Sequence, residues 1–134
     1  MNYKQLLPTL ILGLSLLVNS GCPAPLLVAV AAGGAAGVGA VKYVGGELRS
    51  TEEVSLNRAW KATQKAILDL EFTITSKQKD VFDAQLIASG AADKKIKVRL
   101  KKQSETLTEI RIRIGIFGDE SLSRHILEKI KKRL

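Results

Sequence analysis

A two-layer α+β sandwich is the fold this sequence predicts: an antiparallel sheet of about four to five strands with two helices on one face, over residues 47–134. Three observations carry the expectation. Apolar and polar residues alternate with period two in several separate stretches, two other stretches carry apolar residues at helical spacing, and the order is strand, helix, several strands, helix. There are no internal repeats.

Glu47 to Val54 reads as a short first strand. Ser55 then offers an N-cap, and Leu56, Ala59, Trp60, Thr63, Ile67 and Leu70 follow at helical spacing, with Trp60 as the core anchor. Glu71 to Lys77 returns to period two with Phe72 and Ile74 inward. Lys77-Gln78-Lys79-Asp80 is expected to turn, and Phe82, Ala84, Leu86 and Ala88 continue as the inward row of the next strand, which ends at Ser89-Gly90. Lys95 to Lys101 is the cleanest strand: Ile96, Val98 and Leu100 point in, while Lys95, Lys97, Arg99 and Lys101 point out. Leu107 to Ile116 answers it with Ile110, Ile112, Ile114 and Ile116 in, and Glu109, Arg111 and Arg113 out. The last helix has Gly118 at its entry turn, Asp119 as cap and Glu120 at the dipole's positive end. Its C-terminal cations are Lys129, Lys131, Lys132 and Arg133, and its apolar stripe is Leu122, Ile126, Leu127, Ile130 and Leu134.

Before this domain lie two segments of different composition. Lys4 precedes an apolar run from Leu6 to Val18 that closes on Asn19-Ser20-Gly21-Cys22, the build of a secretory signal. Because it ends on the chain's single cysteine, it resembles a bacterial lipoprotein signal, in which the Cys thiol takes a diacylglycerol and the peptide is cut just before it. Asn19 stands where that pattern usually has Leu; Ser20 and Gly21 fit it. The resemblance implies a signal peptide over 1–21 and lipidation of Cys22, leaving 113 of the 134 residues in the mature chain. Since residue 23 is Pro and not the inner-membrane retention Asp of enteric bacteria, it also implies an outer-membrane lipoprotein facing the periplasm. A lone exported thiol cannot form an internal disulfide, and lipidation removes that liability.

Residues 22–46 are rich in Gly and Ala, and Leu26 to Val41 contains no charge. Small residues recur every four positions through Ala29, Gly33 and Gly37, the spacing that lets helices approach closely in a membrane. As a helix the segment is short for a full span. Three readings stand open: an embedded helix packing through Gly33 and Gly37, a helix lying on the membrane surface, or a tether. Without lipidation, 26–41 becomes the alternative anchor.

Gly115-Ile116-Phe117-Gly118-Asp119-Glu120 with Ser123-Arg124, Ile126-Leu127 and Ile130 is similar to the C-terminal signature of a family of short bacterial lipoproteins described only as having a domain of unknown function. The stretch Lys42-Tyr43-Val44 with Gly46-Glu47-Leu48, and the helix start Leu56, Arg58, Ala59 and Trp60, resemble the same family. The resemblance implies an envelope lipoprotein with an α+β domain and brings no catalytic residue with it.

The inventory for chemistry is thin. There is one His and no Gly-x-Ser-x-Gly turn. His125 and Glu128 lie three apart on the last helix, but two ligands without a third make a poor metal site. Asp119 and Glu120 are explained by a helix start. No cofactor, metal or catalysis is expected; a small envelope hydrolase with an unrecognised site is the alternative. The formal charge of +8 favours acidic partners. With aromatics at 4% and no stacking rings among the basic residues, nucleic acid is not one of them. Paired in a hairpin, the last two strands oppose either Arg99 with Arg111 and Lys97 with Arg113, or Lys97 with Arg111 and Lys95 with Arg113. Like charges opposed on a sheet cost stability. Lys95, Lys97, Arg99, Lys101, Arg111 and Arg113 therefore form the candidate face for anionic lipid, lipopolysaccharide or an envelope protein, with solvated, splayed side chains as the simpler reading.

Overall fold

Alternation places one row of each strand against a core and the other against solvent, and the helices decide which face is which. A computed structural model describes residues 39–134. Its elements are β1 (Val41–Val44), β2 (Glu47–Glu52), α1 (Leu56–Asp69), β3 (Thr73–Lys79), β4 (Asp83–Ser89), β5 (Lys95–Ser104), β6 (Leu107–Ile114) and α2 (Glu120–Lys131), with a short 3-10 turn at Ala91–Asp93. The strands form one antiparallel sheet in the order β1-β2-β6-β5-β4-β3.

The sheet thus has six strands, not four to five. The extra strand is β1, whose Val41 and Tyr43 pack against the core. Gly45 and Gly46 make this hairpin possible, with φ of 60° and 81°, the left-handed backbone that a two-residue hairpin turn demands. The sheet therefore begins six residues before Glu47, and Val41 is in a strand, not at the end of a helix. Cys22, Gly33 and Gly37, with the signal peptide and most of 26–41, lie outside the described residues.

Both helices cover the same face. On α1, Leu56, Ala59, Ala62, Thr63, Ala66 and Ile67 are buried, and the helix packs on β3 to β6. Ile126, Leu127 and Ile130 of α2 are buried, and that helix packs on β2, β6 and α1. Opposite them the sheet contributes Leu48, Leu86, Ile96, Val98, Leu100, Ile110, Ile112 and Ile114, all essentially inaccessible to water. The caps are those expected: Ser55 Oγ accepts from the Arg58 backbone N–H at 3.3 Å, and an Asp119 carboxylate oxygen accepts from the Leu122 N–H at 3.0 Å.

Two strand ends differ from the sequence reading. Phe82 is 68% exposed in the β3–β4 turn instead of inward on β4. The strand β3 runs on to Lys79, past a register shift between Ile74 and Ser76, so the turn is Asp80 to Phe82 and not Lys77 to Asp80. Ile116 is likewise exposed, because β6 ends at Ile114 and Gly115 takes a φ of 64°.

Candidate anion-binding face

Since α1 and α2 both lie on one side, the other side of the sheet faces solvent. Its residues follow from the register. Arg99 stands opposite Arg111 and Lys97 opposite Arg113, the first of the two registers that the sequence allows. Pairing of β6 with β2 sets Arg49 beside Arg111, and pairing of β2 with β1 sets Lys42 beside Arg49. One row therefore reads Lys42, Arg49, Arg111, Arg99 across four neighbouring strands, then Gln85 and Gln78 on the remaining two. Neighbouring strands are about 4.8 Å apart, so the four cations are packed as tightly as a sheet permits.

Carboxylates temper the row without covering it. Glu47 accepts from Arg49 at 2.8 Å and lies 3.8 Å from Arg99, and Glu109 pairs with Arg111. Glu47 and Glu109 are the sunken partners, with side chains 12% and 19% exposed, while those of Arg49 and Arg99 are 48% and 47% exposed. Both acids are thus low in the layer, Arg111 is half-buried beside Glu109, and Arg49 and Arg99 present their outer N–H groups to solvent.

The six residues singled out from sequence do not contribute equally. Lys97, Arg99 and Arg111 are central. Lys101 is flanked by Glu109 and Asp83 on its two neighbouring strands, and Lys95 lies at the strand end beside Ser89. Arg113 has a structural duty: its guanidinium donates to the Gly45 carbonyl at 3.0 Å and to the Ile116 carbonyl at 2.8 Å, tying two turns together. Missed from sequence were Lys42 and Arg49. The signal that finds them is Gly45-Gly46 between Val41/Tyr43 and Leu48, a hairpin pattern that puts Lys42 and Arg49 on the outer side of its two strands.

A cleft of about 600 Å³ runs along this face, lined among others by Gln78, Gln85, Arg99, Lys101 and Arg111, with Asp80 and Asp83 at its edge. Guanidinium groups offer planar pairs of N–H donors that match phosphate and carboxylate, and the glutamine amides can both donate and accept. Neither type transfers protons near neutral pH.

The other candidates are accounted for locally. The Leu122 N–H holds the Asp119 carboxyl below its usual range, against partial desolvation and with help from Lys94 at 3.4 Å. Glu120 is paired with Arg124, and His125 and Glu128 are both exposed on α2. Among the described residues no three His, Cys, Asp or Glu side chains converge on a point that could hold a metal, and no helix is long and apolar enough to cross a membrane.

Residues 5–133 match the family described as "Protein of unknown function (DUF3568)". The chain belongs to this family. The match takes in the cationic row, both turns tied by Arg113 and the segment around Cys22. No curated protein matches the chain.

Proposed function

We propose that this DUF3568 member is a non-catalytic lipoprotein of the bacterial envelope, anchored through acylated Cys22 at the outer membrane and facing the periplasm. Its open sheet face docks onto an anionic membrane surface. The observation that carries this reading is the row Lys42, Arg49, Arg111, Arg99 on the face that neither α1 nor α2 covers. Stability alone gives little reason to assemble it: like charges opposed across strands each cost a few tenths of a kcal/mol, and the pairs with Glu47 and Glu109 offset part of that cost. A surface dense in phosphate does: each Lys or Arg held near an anionic bilayer contributes about 1 kcal/mol of attraction. The Gly/Ala stretch with Gly33 and Gly37 serves this docking either as a membrane-associated helix or as a tether between the anchor and the domain.

The test uses residues 39–134, which carry the whole sheet, both helices and the core described above and lie inside the unit 35–134. A piece starting at Glu47 would lose β1 and Lys42. The fragment is expected to sediment with vesicles containing phosphatidylglycerol, or with lipopolysaccharide, and to release as salt shortens the screening length below about 10 Å. Changing Lys42, Arg49, Arg99 and Arg111 to Gln should weaken binding by roughly a hundredfold or more without unfolding the domain. Equal binding by both proteins, or none by either, would sink the reading and leave an envelope protein as the partner. Intact mass of the membrane-extracted chain, against Cys22→Ala, checks the anchor separately.

A further inference from the structure

The most exposed large apolar side chains of the described residues are Phe117 at 92% and Ile116 at 81%, adjacent in the turn between β6 and α2. Val44, at the end of β1, is exposed as well. A turn that leaves two such side chains in water gains nothing from them in folding, since burying each would stabilise the domain.

The turn is nonetheless built rigidly. Gly118 has a φ of 84°, and Gly46 lies so close that a Cβ on it would come within 2.8 Å of the Phe117 carbonyl oxygen. Arg113, which rises from the open face, clamps the Gly45 and Ile116 carbonyls. That clamp brings both turns to the rim of the open face. Gly115 donates its N–H to the Lys95 carbonyl at 2.8 Å, so Lys94, Lys95 and Arg113 stand around the base of the turn, with Lys97 next to Arg113.

The other exposed apolar pair provides a contrast. Val81 and Phe82 occupy the β3–β4 turn at the opposite end of the sheet, flanked directly by Asp80 and Asp83. Lys79 and Lys102 also lie beside that turn, so its charge is mixed. The Ile116–Phe117 end joins the more exposed apolar tip to Lys95, Lys97 and Arg113, the combination that allows aromatic and aliphatic groups to enter the interfacial layer while cations stay at the headgroups.

We infer that the Gly115–Gly118 turn is a membrane wedge: Ile116 and Phe117, with Val44 on the neighbouring hairpin, insert into the interfacial layer of an anionic bilayer, and Lys95 and Lys97 beside the Arg113 clamp hold its phosphates. This rests on the anionic-surface reading above and gives it an orientation. The tip is convex and held by backbone packing, which suits a deformable lipid surface. Chain entry at Gly39 lies at the other end of the sheet, next to Thr51. The sixteen residues 23–38 span up to about 53 Å when extended, enough for a lipidated Cys22 and the wedge to touch one membrane together.

Full-length protein carrying Trp60→Phe and Phe117→Trp, reconstituted into phosphatidylglycerol bilayers, has a single indole as reporter. The expected result is a blue-shifted emission that brominated acyl chains quench, and a much weaker response in phosphatidylcholine. In the 39–134 fragment, Ile116→Ser with Phe117→Ser should lower affinity for anionic vesicles roughly tenfold at unchanged Tm. An indole that stays solvent-exposed and unquenched in anionic bilayers overturns the wedge. If the unmodified fragment still sediments with those vesicles, the basic-face reading survives that loss; quenching of equal strength in neutral and anionic bilayers overturns the basic-face reading and the cationic part of the wedge, leaving apolar insertion alone.

Discussion

The two faces of this sheet are made by the same strands and differ by one residue of register, yet they follow opposite physical rules. Ile112 and Arg111 are neighbours on β6: one is 1% exposed beneath the helices, and the other faces solvent in a row of cations. The helix-covered face gathers branched aliphatic side chains and shuts out water, so shape and volume decide which residues are tolerated there. On the open face, Arg is set against Arg and Lys against Arg at a small cost in stability. A face optimised for folding would alternate charge across strands, as Lys101 and Glu109 do. The fold is held from one side, which leaves the other free for a charge pattern chosen on different grounds.

The strongest way to break the closed face is Ile112→Ala, which leaves a cavity between β6 and the helices and should cost about 2–5 kcal/mol, read as a fall in Tm or in the denaturant midpoint. A cost below about 1 kcal/mol would mean that the two layers pack more loosely than the burial of Ile112 implies.

Next in size is the rim where the two faces meet. Gly118→Ala forces a side chain into left-handed backbone and against Gly46, and should cost roughly 2–4 kcal/mol. Chemical denaturation measures it, and a neutral effect would show that the two turns are not locked together.

The smallest effect sharpens the contrast from the open side. Lys97→Gln removes a charge set opposite Arg113 and should leave stability within about 0.5 kcal/mol, or raise it slightly, while weakening vesicle binding. Loss of stability comparable to that of Ile112→Ala would show that Lys97 is part of the framework and remove it from the docking surface.

Much of this could be read before any coordinates. The stripe Leu56, Ala59, Thr63 and Ile67 lies on the core side of α1, Ser55 and Asp119 cap their helices, and the inward rows of β5 and β6 are buried as their alternation implies. These are local properties, set by side-chain period and by the unpaired N–H groups of a helix start. The ends of elements were harder to read. Phe82 and Ile116 continue an inward alternation, yet Phe82 precedes the first residue of β4 and Ile116 lies beyond the last residue of β6, where the chain turns away from the core. β1 was hidden because Val41 also completes the uncharged stretch that begins at Leu26.

Side-chain period and composition fix which residues of each strand share a side, that two helices flank the strands, that the chain is strongly basic, and that Cys22 stands at the end of a signal-like run. Only the tertiary structure decided the strand order. That order sets Lys42 and Arg49 in line with Arg111 and Arg99, tempers Lys101 with Glu109 and Asp83, and turns Arg113 to the carbonyls of two turns far apart in sequence. The physical reason is that period and capping act within a few residues, whereas the neighbours of a charge on a sheet come from pairings between strands far apart in sequence, such as β2 with β6, where Glu47 meets Arg113.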